Sequence, residues 1–91
     1  AEGVALLLFA YDLTTGHFTG RTAMTGFTPT AYAYSADHGR LYFGDSGGSI
    51  HAYSETLTPI APLFARLNRA VNSLAAAGKF LVVVYRETVR D

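Results

Sequence analysis

Apolar and polar residues alternate along the middle of the chain with the period of a β-strand. In residues 30–35 alanine and tyrosine alternate almost perfectly, and this period of two is typical of a half-buried strand. Glycine-rich turns follow, and further short apolar runs occupy residues 40–44 and 49–54. The pattern therefore predicts a three-stranded antiparallel meander over residues 30–54.

Apolar runs on both sides of this meander predict further strands. Residues 4–12 are apolar and aromatic and lead into a Leu-Thr-Thr-Gly turn, after which residues 17–24 alternate loosely, as in a short edge strand. Residues 80–85 form a continuous apolar run that is typical of a buried strand, and residues 88–91 begin another strand. Most of the chain is thus predicted to be strand and turn.

One pattern occurs twice along the chain, first in positions 28–43 and again in positions 71–83. Each copy contains an apolar run, a glycine followed by a base, and a second apolar run, and the glycine-base pairs are Gly39-Arg40 and Gly78-Lys79. The two glycines are 39 residues apart. Repeats with a period of this length usually mark stacked structural units, none of which can bury its apolar face alone. The repeat therefore predicts a piece of a ring or solenoid.

Two interpretations compete for residues 59–77. Taken alone, the segment fits an amphipathic helix, with Pro59 suited to its first turn and Gly78 to its end. The apolar stripe of that helix would consist of Leu63, Phe64, Leu67, Ala70, Val71, Leu74 and Ala75. The repeat instead assigns residues 71–77 to a strand. We predict an all-β fold, with an α+β fold carrying one helix near residues 59–77 packed on a sheet as the alternative.

The order strand, glycine and base, strand, turn, strand resembles the blades of WD-repeat β-propellers. The resembling segments are residues 31–54 and 71–91. The pairs that stand where the Trp-Asp pair of that family would end the third strand are Tyr11-Asp12, Tyr53-Ser54 and Arg90-Asp91. The resemblance implies antiparallel four-stranded blades that form an incomplete ring.

The resemblance also implies how this single unit of residues 1–91 is divided. Residues 12–54 would form the first blade-length repeat and residues 55–91 a second, partial repeat, while residues 1–11 would be the tail of a preceding blade. Two blades cannot close a ring, so the exposed flanks would pair with other chains. We therefore expect the partners to be other protein chains, the remaining blades of the same protein, or copies of this chain.

In that family, loops on the blade faces bind other proteins, so the resemblance implies a scaffold or adaptor module. The loop positions that would contact a partner are Phe27, Thr28, Asp45, Ser46, Asn68, Arg69, Arg86 and Glu87. Under the α+β alternative, the protein would instead be a small dimerisation or adaptor domain.

Composition narrows the classes of partner. Seven basic and seven acidic residues cancel, so no net charge attracts nucleic acid or an anionic membrane, and neither is predicted as a partner. The strongest apolar run near the start, residues 4–10, is far shorter than the ~20 residues that cross a bilayer as a helix. The chain has no cysteine, which fits a reducing compartment, and we expect a cytoplasmic location.

One string has a catalytic counterpart. Gly44-Asp-Ser-Gly-Gly48 resembles the nucleophile loop of chymotrypsin-like serine proteases, where the serine attacks and backbone amides hold the oxyanion. In that family the histidine base and its carboxylate come well upstream on a separate barrel, whereas the stretch that precedes Gly44 here is short. We therefore predict a turn between two strands and no enzyme, with a serine hydrolase using Ser46 as the remote alternative.

The histidines and glycines do not form a cofactor motif. His17, His38 and His51 match no compact spacing of metal ligands, and the glycines lack the Lys-Ser or Lys-Thr of a phosphate loop. The sequence predicts no metal and no cofactor.

Overall fold

The computed structural model describes residues 6–60 and 64–85, and every regular element within them is a β-strand. The strands are β1 (Leu6–Tyr11), β2 (Phe18–Thr25), β3 (Pro29–Ser35), β4 (Arg40–Asp45), β5 (Ser49–Ser54), β6 (Ala65–Arg66), β7 (Val71–Ala77) and β8 (Phe80–Tyr85). All neighbouring strands are antiparallel. The all-β prediction is confirmed, and the strand predicted at residues 88–91 lies outside the described residues.

The strands form three open sheets in chain order. A central four-stranded sheet has the order β3-β4-β5-β6, the β1-β2 hairpin precedes it, and the β7-β8 hairpin follows it. The preceding hairpin is joined to the central sheet by a hydrogen bond of 3.3 Å from Arg21 Nη1 to the Glu55 carbonyl oxygen. Each sheet is thus built from strands that are consecutive along the chain.

The alternative helix near residues 59–77 is wrong for the described part of that segment. Leu74 and Ala76 are half-buried on one face of β7, where Leu74 packs on the core, whereas Ala75 and Ala77 are exposed on the other face. The apolar residues therefore satisfy a period of two as well as a helical period. Alanine has little preference of its own here, and the continuous apolar strand β8 beside the segment fixes it as a strand.

The hydrophobic core lies between the central sheet and β7. Alternate residues of β3 are buried on the face that β7 crosses, as the Ala-Tyr alternation predicts. The buried cluster consists of Ala31, Tyr42, Ile50, Ala52 and Val71. Because Val71 comes from the following sheet, the central sheet and the β7-β8 hairpin share one core.

Gly44 sets the distance between these two sheets. A Cβ atom at this position would overlap the side chain of Val71, so only glycine leaves room for the valine. The φ angle of Gly44 is not in the left-handed region, and the requirement is therefore one of space alone. Close approach here lets Val71 fill the core.

The β7-β8 hairpin repeats the pairing of β3 with β4. Both hairpins contain six residue pairs, and both shift register after the first pair, between Pro29 and Ala31 and between Val71 and Ser73. Val71 therefore corresponds to Pro29, and Tyr85 corresponds to Asp45. Pro29 and Val71 are two positions further apart along the chain than Asp45 and Tyr85 are. The reason is that the turn between β7 and β8 is two residues shorter than the turn between β3 and β4.

The turn after β1 likewise repeats the turn after β5. In each, a side-chain oxygen accepts a hydrogen bond from the N–H two residues further on: that of Asp12, the residue after β1, at 2.7 Å, and that of Ser54, the last residue of β5, at 3.3 Å. The N–H of the same residue donates across the turn to the carbonyl of His17 or Thr58, at 2.9 Å in both cases. The β1-β2 hairpin therefore corresponds to the second half of the central sheet.

Candidate functional site

Three connections of the chain meet at one edge of the central sheet. Because neighbouring strands are antiparallel, the starts of β3 and β5 lie at the same edge as the ends of β4 and β6. The start of β7 lies there too, because Val71 packs against Gly44 near the end of β4. The connections at this edge are residues 26–28, 45–48 and 67–70, which together are termed the loop edge. It is the candidate functional site.

Six of the eight residues predicted to contact a partner lie on the loop edge. They are Phe27, Thr28, Asp45, Ser46, Asn68 and Arg69. Thr28, Ser46, Asn68 and Arg69 are exposed, whereas Phe27 and Asp45 are half-buried. The other two predicted positions, Arg86 and Glu87, lie outside the described residues.

Asp45 holds the turn between β4 and β5. Its Oδ1 atom accepts hydrogen bonds from the N–H groups of Gly47 and Ser49, both at 2.9 Å. Its Oδ2 atom lies 2.9 Å from Nε2 of His51. Burial would by itself raise the pKa of Asp45, but the hydrogen bonds from His51, Ser49 and Gly47 outweigh it, and the pKa lies below its ordinary value.

Phe27 fixes the β2-β3 connection to β5. Its ring stacks on the imidazole of His51, with centroids 3.6 Å apart and planes 5° from parallel. Phe27 also lies near Phe43, with ring centroids 6.4 Å apart. The stacked rings and the carboxylate of Asp45 thus hold His51 between the first two connections of the loop edge.

The contacts of His51 with Asp45 and Phe27 were not predicted from the sequence. From the sequence we predicted of His51 only that its spacing from the other histidines matches no metal site. One signal was present. Phe43 pairs with His51, and Asp45 lies two residues further along the same face of β4, so an acid and a histidine six residues apart across a tight turn are diagonal neighbours. The stacking of Phe27, however, depends on a tertiary contact that no local spacing encodes.

The β6-β7 connection rests on the β4-β5 turn. The N–H of Leu67 donates to the carbonyl of Gly48 at 2.6 Å. Gly48 has a φ angle of +89°, and a Cβ atom there would lie 2.7 Å from the carbonyl oxygen of Arg69. Glycine is therefore required both by the backbone conformation and by the approach of the neighbouring loop.

A cleft of about 310 Å³ opens beside the third connection. It is lined by Arg66, Leu67, Asn68, Arg69 and Tyr85. The lining combines two guanidinium groups, an amide and an aromatic ring, which suits contact with polar or acidic groups on a protein surface. A smaller cavity of about 180 Å³ lies at the opposite edge, between the β3-β4 and β7-β8 turns, and includes His38, Arg40 and Lys79.

The side chain of Ser46 is exposed at the tip of its turn. Its hydroxyl makes no hydrogen bond to any residue within 6–60 or 64–85, and Nε2 of the nearby His51 is bonded to Asp45. A serine nucleophile needs a base within hydrogen-bonding distance, and the described structure does not place one beside Ser46. The string that resembles a protease loop forms a turn between two strands.

The three histidines occupy separate places. His17 lies in the β1-β2 turn, His38 in the β3-β4 turn beside Ser35 Oγ at 3.0 Å, and His51 on β5. In the part of the chain that the structure describes, no three side chains of histidine, aspartate or glutamate are grouped as metal ligands.

In comparisons with known proteins, no family model, no curated protein and no solved structure matches the chain. Within the two described ranges, no helix has the length and apolarity needed to cross a membrane. What the chain can bind is therefore inferred from the loop edge and from the exposed faces of its sheets.

Proposed function

We propose that the protein is a non-catalytic, cytoplasmic scaffold or adaptor module of the WD-type propeller class, and that it binds another protein through the loop edge. One observation carries the proposal. Three separate connections are joined to one another by hydrogen bonds and ring stacking, so that their exposed side chains form one preorganised surface. Preorganisation reduces the ordering cost of binding.

The exposed groups of the loop edge favour a protein surface as partner over a small molecule. They are the hydroxyls of Thr28 and Ser46, the amide of Asn68 and the guanidinium of Arg69. Such groups offer dispersed donors and acceptors, as the polar rim of a protein interface does. A small-molecule site would instead need an enclosed, largely apolar pocket, and the cleft here is open and lined mainly by polar side chains.

A charge-matched pair of variants tests this proposal. The loop-edge variant carries Thr28→Arg, Ser46→Arg and Asn68→Arg, and the control variant carries Ala36→Arg and Asp37→Arg at the opposite edge. Both change the net charge by three, and all five positions are exposed. Immobilised wild-type protein and each variant are incubated with lysate, and the retained protein is then purified and titrated against all three.

The wild type and the control variant are expected to retain the same protein, and the loop-edge variant is expected to bind it at least ten-fold more weakly. Thermal unfolding of each variant confirms that it is folded. Equal weakening in both variants, or no weakening in the loop-edge variant, would contradict the proposed role of this surface.

A further inference from the structure

Within the described residues, both outer strands of each of the three sheets have an edge without a neighbouring strand, and four of these six edges belong to the two hairpins. β1 pairs with β2 alone, and β8 pairs with β7 alone, whereas the central sheet has four strands in the order β3-β4-β5-β6. An unpaired edge presents a row of N–H and C=O groups that can pair with another strand. The two hairpins therefore each expose the backbone of one incomplete sheet.

The two incomplete sheets are complementary halves. The β7-β8 hairpin has the pairing and the register shift of β3-β4, the first half of the central sheet. The β1-β2 hairpin has the hydrogen-bonded turn of the second half, because Asp12 and Ser54 occupy the same place in their turns. By this correspondence, the strand that would lie beside β8 is one equivalent to β5, and β1 is such a strand.

We propose that β1 of a second copy of this chain pairs with β8 and completes a four-stranded sheet in the order β7-β8-β1-β2. The central sheet fixes the register. There, Leu41 pairs with Tyr53 and Tyr42 with Ala52. The equivalent pairs are Leu81 with Tyr11 of the second copy, and Val82 with Ala10 of the second copy.

Apolar side chains at the two edges support this pairing. In the proposed register, Phe9 and Tyr11 of the second copy lie on the same face as Val83 and Leu81, the face of β8 that packs on the core. Phe9 and Tyr11 are 52% and 60% exposed within one copy. On that face the two rings would add to the apolar side chains that cover the central sheet, on the side of Phe64, which is 46% exposed.

The interface is head-to-tail, since it joins two different surfaces of the same chain. Repetition of such a contact closes a ring where the rotation between copies allows it. The loop edge takes no part in this contact, so the inference goes beyond the proposed function, and either can fail without the other.

Intermolecular cross-linking tests the register. The chain has no cysteine, so introduced thiols are the only ones present. Ala10→Cys protein is mixed with Val82→Cys protein and oxidised mildly, and disulfide-linked dimers are expected because directly opposed residues have Cα atoms within disulfide range. The control mixes Ala10→Cys with Val83→Cys, whose side chains would lie on opposite faces, and at least ten-fold slower cross-linking is expected.

Mass in solution provides a second readout. Light scattering of the wild type is expected to give a multiple of 9.8 kDa that rises with concentration toward a limiting value. Val82→Lys, at the proposed interface, is expected to shift the protein to monomer, whereas Met24→Lys, at a position 68% exposed on β2, is expected to leave the mass unchanged.

Three outcomes would overturn the proposal. One is that light scattering of the wild type gives a mass of 9.8 kDa at every protein concentration measured, including concentrations far above the detection limit. A second is equal cross-linking by the control pair. The third is efficient cross-linking of Val82→Cys with itself, which would indicate that β8 pairs with β8 of the other copy.

Discussion

At the residue scale, Gly44 and Val71 show how an absent side chain brings two sheets together. Gly44 lies on β4, and the space where its Cβ would be is filled by Val71 of β7. Val71 is among the most completely buried side chains of the described residues. The sequence displays a glycine near the end of an apolar run, and only the fold reveals which side chain it admits.

Gly44→Ala is expected to destabilise the protein by about 1–3 kcal/mol, the usual cost of overpacking a core. The measurement is the free energy of unfolding in urea. The control is Gly26→Ala, because a Cβ at Gly26 meets no atom within 4 Å and its φ angle is not in the left-handed region. In the double variant Gly44→Ala with Val71→Ala, the overlap with the two γ-methyl groups of Val71 is removed while that with its Cβ atom remains, so the cost should be less than the sum of the two single costs. Strict additivity would contradict this account.

Asp45 also acts within the protein rather than only at its surface. The sequence predicted it as a partner contact, and the structure adds three internal hydrogen bonds, to Gly47, Ser49 and His51. These bonds lower the pKa of Asp45 in the folded state. A lowered pKa in the folded state stabilises the protein above the ordinary carboxyl pKa of about 3.9, and this stabilisation is lost as the pH falls through the lower folded value.

Asp45→Asn is therefore expected to cost about 1–2 kcal/mol at pH 7, since the amide keeps an acceptor for the turn but loses the charge. The difference in free energy of unfolding between wild type and variant should narrow below about pH 4, as the pH falls through the folded pKa of Asp45. Urea unfolding at these pH values measures it. Asp37→Asn, at an exposed turn position, serves as the control, and a difference that widens in acid would show that another group dominates.

At the scale of the element, β7 shows why the helical and strand interpretations could not be separated locally. Its apolar residues fit both periods, and alanine favours neither strongly enough to decide. β8, by contrast, was predicted correctly as a strand, because a continuous apolar run next to a turn has few other structures available. Its predicted burial is wrong within the described residues, since Phe80, Val82 and Val84 are exposed and only Leu81 and Val83 are half-buried. The hydrogen bonds between β7 and β8 then determine the conformation of the ambiguous segment.

Far-UV circular dichroism tests the element assignment in solution. The spectrum is expected to be that of a β protein without a helical band. A helical band sized for about eighteen residues would contradict the strand assignment of residues 71–77 and revive the α+β alternative.

Gly78→Val tests the turn between β7 and β8. Gly78 has a φ angle of +58° in this two-residue turn, a conformation that valine rarely adopts. The replacement should therefore destabilise the hairpin and weaken the β signal in the circular dichroism spectrum.

At the scale of the whole molecule, one complete sheet lies between two half sheets. The side chains on the open faces are largely apolar: Phe80, Val82 and Val84 on one flank and Leu7, Phe9 and Tyr11 on the other. A low charged share of 15% agrees with surfaces that become covered.

The repeat was visible in the sequence only in part. In the sequence, the Gly39-Arg40 pair and the Gly78-Lys79 pair suggest the distance between the two copies of the repeat. The structure shows that Pro29 and Val71, and likewise Asp45 and Tyr85, are the equivalent residues, and both pairs are further apart along the chain than the two glycines are. A turn shortened by two residues displaces the most conspicuous pair relative to the strands around it. Sequence similarity therefore located the repeat, and backbone pairing fixed its alignment.

By itself, the sequence determined the strand-and-turn character of the chain and the position of most strands, because period-two alternation and glycine-rich turns are local properties. The resemblance assigned the expected contact residues to connections between strands, and the structure places six of them at one edge of the central sheet. Tertiary structure decided between the strand that the repeat predicts for residues 71–77 and the alternative helix. It alone decided that Val71 fills the space above Gly44, and that Phe27 and Asp45 together hold His51. These features join residues distant along the chain, and the energy of such contacts appears only when the sheets are assembled.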